Sequence, residues 1–295
     1  MGCNIPAYQQ LSGYRLVTPP TSDVIEMLSF NFRNVVLSTH HEVREAIARA
    51  IDYQALIQGP LRGFATPLCT DHPSAVHPGY QADAPCPAFG LAAANKLLSD
   101  NGWVKGSDGV RTKEGQRLEF DYSTTTGGDS WRAAIGPLIQ QNLLAIGIQL
   151  DISNYPGNVL FGQILYGGEA SPPTGAVAGR YDIAETAYSY TNDPDDSNQL
   201  SCDSFFPNNG NNIGGYCNHA LDALYQQELA TPDPGLRQNI FDQEHAIYVT
   251  DLPFITLFSP LLVTVVRNGT HSFDPSPIDG ETINVWQWWC DQGKC

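Results

Sequence analysis

The residues with the greatest chemical potential in this 295-residue chain are its seven cysteines and seven histidines. Cys69, His72, His77 and Cys86 carry thiolate and imidazole groups of the kind that bind zinc. The interval from Cys69 to His72 is familiar from zinc sites, but His77 follows in a proline-rich loop at a spacing that matches no standard finger. A disulfide between Cys69 and Cys86 is therefore favoured over a zinc site, and no metal ligand is predicted.

The remaining cysteines also lie near turns or at the chain ends. Cys202 and Cys217 flank a turn-rich stretch, which predicts a second disulfide. Cys290 and Cys295 can close a small C-terminal ring, or Cys3 can join one of them, and the spacing leaves that pairing open. Loops fastened by disulfides are typical of an oxidising compartment, so we expect an extracytoplasmic protein.

A hydrolase is the next class of chemistry to test, since Ser, His and Asp are all present. The sequence contains no Gly-x-Ser-x-Gly elbow and no His-Glu-x-x-His pair. The acidic run Asp193-Pro194-Asp195-Asp196 lacks the glycine and distal glutamate of an EF-hand loop, so a turn is favoured over a calcium site. The sequence therefore predicts no catalytic residue, no cofactor and no enzyme activity.

The composition narrows the possible partners. Acidic residues outnumber basic residues 31 to 15, for a formal net charge of -16, which argues against a general nucleic-acid binder. The longest apolar stretch, 254–266, is interrupted by polar residues and is too short for a membrane helix. Met1-Gly2-Cys3 is similar to the residues around a lipoprotein acceptor cysteine, but no basic start and apolar run precede it. We expect that Met1 is an introduced start and that the native chain extends upstream.

Hydrophobic periodicity predicts alternating helices and strands, and hence an α/β fold. The predicted helices are 41–57, 91–100, 130–145, 220–229 and 236–250. The predicted strands are 24–32, 117–123, 148–152, a short strand beginning at 181, and one or two strands within 253–266. Residues 1–23 are expected to form one or two hinge strands, and 63–87 is expected to be mostly loop.

Seven segments in a fixed order resemble the family 5 extracellular solute-binding proteins, which include periplasmic dipeptide- and oligopeptide-binding proteins. The most specific segment is Val-Arg-Glu-Ala-Ile-Ala-Arg-Ala-Ile-Asp at 43–52. The others are Ala-Asn-Lys-Leu-Leu at 94–98, Ile-Gln-Gln-Asn-Leu at 139–143, Tyr-Asp-Ile at 181–183, Asp-Pro-Asp at 193–195, Leu-Asp-Ala-Leu at 221–224 and Asp-Leu-Pro-Phe-Ile at 251–255.

The resemblance implies a type II periplasmic-binding-protein lobe, with a mixed sheet flanked by helices. Its expected parts are a hinge segment at 1–24, a ligand-binding lobe at 25–265 and a C-terminal segment at 266–295 that packs on an absent first lobe. It implies the monomeric solute-binding component of an ABC importer, which takes a peptide or similar small solute, contacts a permease and is lipid-anchored at full length. A zinc- or nickel-binding protein is the alternative, and a hydrolase ranks below it.

The same resemblance implies ligand contacts at Tyr188, Tyr190, Asn192, Asp193 and Arg132. Peptide-binding members place an acidic residue shortly before the Asp-Pro-Asp turn, where it pairs with the amino terminus of the peptide. This sequence is one residue shorter there and has Tyr190 or Thr191 near that place. The sequence therefore lacks the usual acid for a peptide amino terminus, while its tyrosines offer apolar area and hydroxyl groups.

Overall fold

The computed structural model of the protein describes residues 5–19, 22–73, 86–126, 131–165, 181–205 and 210–291. Within them the α-helices are α1 Ile5–Gln9, α2 Val35–Thr39, α3 His41–Arg49, α4 Tyr53–Gln58, α5 Leu91–Asp100, α6 Arg132–Ile146, α7 Gly157–Val159, α8 Ser197–Leu200, α9 His219–Leu229 and α10 Pro234–Asp251. The strands are β1 Tyr14–Val17, β2 Val24–Phe30, β3 Ala65–Pro67, β4 Val104–Lys105, β5 Arg111–Lys113, β6 Gln116–Arg117, β7 Glu119–Thr125, β8 Gln149–Tyr155, β9 Ile183–Ser189, β10 Phe254–Pro260, β11 Thr264–Arg267, β12 Thr270–His271 and β13 Trp289–Cys290.

A six-stranded mixed sheet in the order β3-β10-β2-β9-β7-β8 forms the centre of the fold. Strands β7, β8 and β9 run parallel to one another, and β2 pairs antiparallel with both β9 and β10. The parallel strands end at Thr125, Tyr155 and Ser189, so the carboxyl ends of these three strands lie together along one edge of the sheet, perpendicular to the strands. The predicted α/β lobe with a mixed sheet and flanking helices is confirmed.

The main hydrophobic core covers one face of this sheet. Strand residues such as Leu28 and Phe120 point into it and meet apolar residues of α3, α5 and α6. Helix α5 has the predicted bounds, because its apolar positions repeat at helical spacing up to Gly102, whose φ of 84° ends the helix. The sheet alternation places Ile25 and the neighbouring odd-numbered residues of β2 on the opposite face.

The single helix predicted over 41–57 is wrong, since the structure divides it into α3 and α4. Asp52 begins α4 as its N-cap residue, and its carboxylate accepts a hydrogen bond from the Ala55 backbone N–H at 3.0 Å. A capping side chain satisfies backbone donors that a continuous helix would have bonded internally. The break turns α4 so that Tyr53 and Leu56 also enter the main core.

Two parts predicted as strand or loop also differ. The first 23 residues contain the short helix α1 before β1, and β1 pairs only with β11 in a separate two-stranded ribbon. The loop predicted over 63–87 contains β3, which pairs with the outer edge of β10. Pro67 is tolerated in β3 because the strand lies at the edge of the sheet, where one row of backbone donors needs no partner.

The C-terminal residues form a small structure of their own on β12 and β13. Trp289 stacks on His271 with ring centroids 3.8 Å apart. Trp286 keeps 74% of its surface exposed, and Val285 beside it keeps 49%. Apolar residues with this degree of exposure form a surface that is suited to packing against another protein surface.

Across the part of the chain that the structure describes, none of the helices combines the length and the apolar character that crossing a membrane requires.

Candidate functional site

The edge at which the parallel strands end is where ligands bind in many α/β folds. A concavity at this edge is open to solvent and spans about 480 Å³ with part of that solvent included. It is lined by Tyr188, Tyr190, Thr191, Asp193, Asp195 and Asn198. The residues come from the end of β9 and from the segment that follows it, and two of them carry carboxyl groups. The concavity is therefore polar and suited to a ligand with hydrogen-bond donors or positive charge.

A second, more apolar cleft lies on the same face of the sheet. It spans about 520 Å³ with open solvent included, and it is bordered by Met27 and Thr186 from the strands and by Phe161, Leu200 and Tyr216 from the covering segments. Tyr188 lines this cleft as well as the polar concavity. The two depressions are thus neighbours that share one tyrosine ring.

Four of the residues predicted as ligand contacts lie at this concavity or beside it. Tyr188 is partly buried, and its ring meets the edge of Tyr190 with centroids 5.0 Å apart. Tyr190 is buried and its hydroxyl group lies within hydrogen-bond distance of other protein groups. Asn192 is exposed on the same segment, and the exposed Asp193 forms an ion pair with Arg237.

Arg132 lies elsewhere. Its guanidinium donates to both carboxylate oxygens of Glu26, with distances of 2.6 Å from Nε to Oε1 and 2.9 Å from Nη2 to Oε2. Glu26 alternates with Ile25 on β2, so Arg132 lies on the face of the main core, opposite to the face of Tyr188. The structure does not bring Arg132 together with the two tyrosines.

The ion pair of Glu26 is part of a buried cluster with a second carboxylate. Glu185 of β9 accepts hydrogen bonds from the hydroxyl groups of Tyr122, at 2.9 Å, and Thr124, at 2.8 Å. Burial raises the pKa of Glu26 to about 8 and the pKa of Glu185 to about 7, although Arg132 favours the ionised form of both. Two buried carboxyl groups share one cation, so the cluster favours the retention of a proton.

A second buried cluster lies on the face of the tyrosines. His72 is fully buried between Asp71 and Asp196, and the ring of His72 lies 5.6 Å from the ring of Tyr190. His245 of α10 bonds the carboxylate of Asp71 at 2.7 Å. This cluster holds the segment that lines the polar concavity. The sequence indicates His72 only as a potential zinc ligand.

Asp196, and Glu244, which precedes His245 on α10, are two further buried carboxyl groups with raised pKa values. Burial raises the pKa of Glu244 to about 8, and burial raises the pKa of Asp196 to about 7 despite the attraction of His72. Glu26, Glu185, Asp196 and Glu244 are the four buried acids of the lobe with raised pKa values among the described residues. The signal for the two strand members was an acid within an apolar strand, Val-Ile-Glu-Met-Leu and Ile-Ala-Glu-Thr-Ala.

The structure contains the two disulfides that the sequence predicts, Cys69–Cys86 and Cys202–Cys217. The thiolates of Cys69 and Cys86 are therefore consumed and cannot act as zinc ligands, and His77 lies outside the described residues. Cys290 is also disulfide-bonded, and its partner is not among the described residues.

Among the described residues, Asp71, His72 and Asp196 bring potential metal ligands within 4.8 Å of one another, but the two carboxylates approach opposite nitrogens of the imidazole. Asp71 approaches Nδ1 of His72 at 3.6 Å, whereas Asp196 approaches Nε2 of the same ring at 3.7 Å. One ion cannot bind both nitrogens of a single imidazole. Of the histidines that the structure describes, none is hydrogen-bonded to a serine hydroxyl group, the contact that a serine nucleophile needs.

These features define a class: an α/β lobe of the type II periplasmic-binding-protein fold with a polar concavity at the edge of its sheet. The sequence profile of the bacterial extracellular solute-binding proteins, family 5 Middle, matches residues 4–211. The chain belongs to this family.

Two relatives extend the similarity beyond the matched range. The chain is 27% identical to Protein XP55 of Streptomyces lividans over 248 residues, which cover 81% of this chain and 42% of that protein. It is 23% identical to Di/tripeptide-binding protein 2 of Pseudomonas aeruginosa strain UCBPP-PA14 over 274 residues, which cover 90% of this chain and 47% of that protein. The chain thus spans less than half the length of these relatives.

Solved structures share the fold. The oligopeptide-binding protein AppA of Bacillus subtilis, in complex with a nonapeptide, superposes with a TM-score of 0.82 at 20% identity, over 98% of this chain and 55% of that one. NikZ of Campylobacter jejuni, in complex with Ni(L-His), superposes with a TM-score of 0.81 at 19% identity, over 97% of this chain and 56% of that one.

Proposed function

We propose that this chain is the ligand-binding lobe of an extracytoplasmic solute-binding protein that delivers a peptide to an ABC importer. The observation that carries the proposal is the shared position of Tyr188 between a polar concavity and an apolar cleft. A peptide has the matching chemistry, since its polar backbone and charged amino terminus alternate with apolar side chains. Asp195 gives the polar end a negative charge suited to an amino group, whereas the charge of Asp193 is paired with Arg237.

Each remaining part of the protein has a role in this proposal. Residues 25–265 form the lobe, 1–24 form the hinge, and 266–295 pack against a first lobe through the exposed surface around Trp286. The full-length protein is a lipid-anchored monomer that contacts a permease and binds its solute without chemical turnover. Each lobe supplies part of the contact area, so this chain alone should bind more weakly than the two-lobed protein.

Tyr188→Ala provides the test. The full-length protein and this chain are titrated calorimetrically with di-, tri- and oligopeptides, beside the variant and beside Tyr8→Ala, which removes an exposed tyrosine of α1. Removal of a partly buried aromatic contact costs roughly 1.5–3 kcal/mol of binding free energy, which lowers the affinity for the peptide about tenfold or more. We expect this loss for Tyr188→Ala alone. Equal peptide affinities of the wild type, Tyr188→Ala and Tyr8→Ala would refute the proposal. Equal peptide affinities of this chain and the full-length protein would also refute it.

Metal chelates are the second candidate, favoured by the similarity of fold to the nickel-binding NikZ. Native mass spectrometry after incubation with peptide mixtures, or with nickel and L-histidine, separates the two. Retention of unmodified peptide supports the proposal, whereas selective retention of nickel supports the second candidate. Sustained multiple-turnover cleavage of peptides by the pure protein would show an enzyme instead.

A further inference from the structure

His72 connects two segments that are more than a hundred residues apart in sequence. Its Nε2 donates to the backbone carbonyl of Pro194 at 2.8 Å and lies 3.7 Å from the carboxylate of Asp196. On its other side, Nδ1 lies 3.6 Å from the carboxylate of Asp71. The loop that follows β3 thus holds the Asp-Pro-Asp segment through a buried imidazole.

Tyr190 fixes the protonation of this cluster. Its hydroxyl oxygen lies 2.7 Å from the carbonyl of Asp71 and 2.5 Å from a carboxylate oxygen of Asp196. The hydroxyl group has one proton and can donate to only one of them. Both contacts are hydrogen bonds at the same time only when Asp196 is protonated and donates to Tyr190, which donates to Asp71.

The charges of Asp71, His72 and Asp196 also favour a protonated Asp196. With Asp71 ionised and His72 an imidazolium, a neutral Asp196 leaves the buried cluster with no net charge. Burial opposes the charge on His72, but Asp71 and Asp196 raise its pKa to about 10. Ionisation of Asp196 would add an unbalanced charge at a site that water does not reach, which is unfavourable.

Groups of both kinds face Asp196: burial and the acids Asp71 and Asp195 oppose its ionisation, whereas His72 and the Tyr190 hydroxyl group favour it. From its own segment these are Tyr190, Asp195 and Gln199, whose Nε2 lies 3.2 Å from the Asp196 carboxyl. From the packed helices they are Tyr225 of α9 and Glu244 of α10, whereas His245 of α10 bonds Asp71. None of the helix groups is a lysine or arginine, so His72 supplies the cation of this cluster.

We propose that His72 and protonated Asp196 form a proton-dependent latch that positions the Tyr190–Asp196 segment and thereby the polar concavity. The importance of the latch for a solute rests on the proposed function, but the latch itself can be tested without a ligand. Below neutral pH the latch is closed. Above it, Asp196 ionises and the Tyr190 hydroxyl group has one proton for two acceptors. One of its two hydrogen bonds is then lost, and the segment becomes less protected.

Hydrogen exchange of residues 190–200 at pH 5.5 to 8.5, corrected for intrinsic rates, tests the latch. Wild-type protection should fall as pH rises through about 7, by up to roughly tenfold per pH unit because one proton is linked. Asp196→Asn imitates the protonated acid, since its amide can donate to Tyr190, and should remain protected at all pH values. Asp203→Asn, which removes an exposed carboxylate nearby, should behave like the wild type.

A second pair of variants covers the case in which Asp196→Asn does not fold. His72→Gln keeps a donor for the Pro194 carbonyl and should retain more protection than His72→Phe at pH 6. A wild-type profile that is flat with pH, a profile of Asp196→Asn that falls like the wild type, or equal loss in both His72 variants would overturn the latch. Since no ligand is added, these outcomes differ from a failure to bind peptide, which would overturn only the proposed function.

Discussion

Replacement of Arg132 by methionine should be among the most destabilising single changes in the lobe. The Arg132 side chain is 14% exposed and its partner Glu26 is 1% exposed, so neither charge has water as an alternative partner. Removing one member of a buried ion pair costs about 3–5 kcal/mol, because the other charge remains buried. Arg132→Met leaves Glu26 and Glu185 without their shared cation, so we expect a loss in this range at pH 8.

Arg117→Met is the matched control. Arg117 pairs with Asp108 and Glu119, but these three side chains are 40%, 51% and 41% exposed. Exposed pairs contribute about 0–1 kcal/mol, so this variant should unfold almost like the wild type. Both variants lose the same positive charge, and the comparison therefore separates burial from net charge.

Urea unfolding followed by tryptophan fluorescence and circular dichroism measures both losses. With a denaturant slope of about 3 kcal/mol per molar, Arg132→Met should lower the midpoint by roughly 1–1.7 M and Arg117→Met by less than about 0.4 M. At pH 5.5 the deficit of Arg132→Met should shrink, because Glu26 and Glu185 can take up protons. Equal midpoints for the two variants at pH 8, or a deficit independent of pH, would refute this account of the cluster.

Three further outcomes follow from the same structure. The free energy of unfolding should be higher at pH 5.5 than at pH 8.5 by more than about 2 kcal/mol, also in high salt, since one pKa unit corresponds to about 1.4 kcal/mol. The four buried acids have raised pKa values, so their contribution is complete at low pH and is lost as pH rises through about 7 to 8; a flat urea midpoint would contradict this. Peptide mapping without reductant should recover both disulfides, and replacing Cys202 and Cys217 together by serine should cost about 3 kcal/mol for a loop of this length. Gly147→Ala should cost about 1–3 kcal/mol, because Gly147 has a φ of 88° and an added Cβ would lie 2.7 Å from a neighbouring side chain, whereas Gly162→Ala, with open space around it, should leave the melting temperature unchanged.

Local patterns in the sequence were sufficient for most of the fold. Helix α5 and the strands β2 and β10 follow from apolar periodicity and from glycine and proline at their ends, which are properties of neighbouring residues. The division between α3 and α4 was missed because Ala50 and Ile51 continue the apolar pattern, while the Asp52 cap that begins a new helix is a single polar residue. Strand β3 was missed because three residues at a sheet edge have no periodicity to detect.

The site was harder to predict because its interactions are between distant segments. Alternation along β9 could place Tyr188 and Tyr190 on one face of the sheet, and the structure does so. Nothing near Arg132 in sequence indicates Glu26, which lies 106 residues away, as its partner. His72 and Asp196 are similarly distant, so the buried cluster exists only once the sheet has brought their loops together.

The two disulfides described above also affect the route by which the chain folds. Cys69 lies two residues before Asp71, and Cys202 lies two residues after Leu200 at the end of α8. Each bond lowers the entropy of the unfolded chain in a loop adjoining one half of the His72 cluster. Oxidation before collapse therefore shortens the conformational search for contacts between these segments, whereas a reduced chain must find the same contacts with both loops open. The compartment in which the chain folds should thus influence how fast its ligand face is formed.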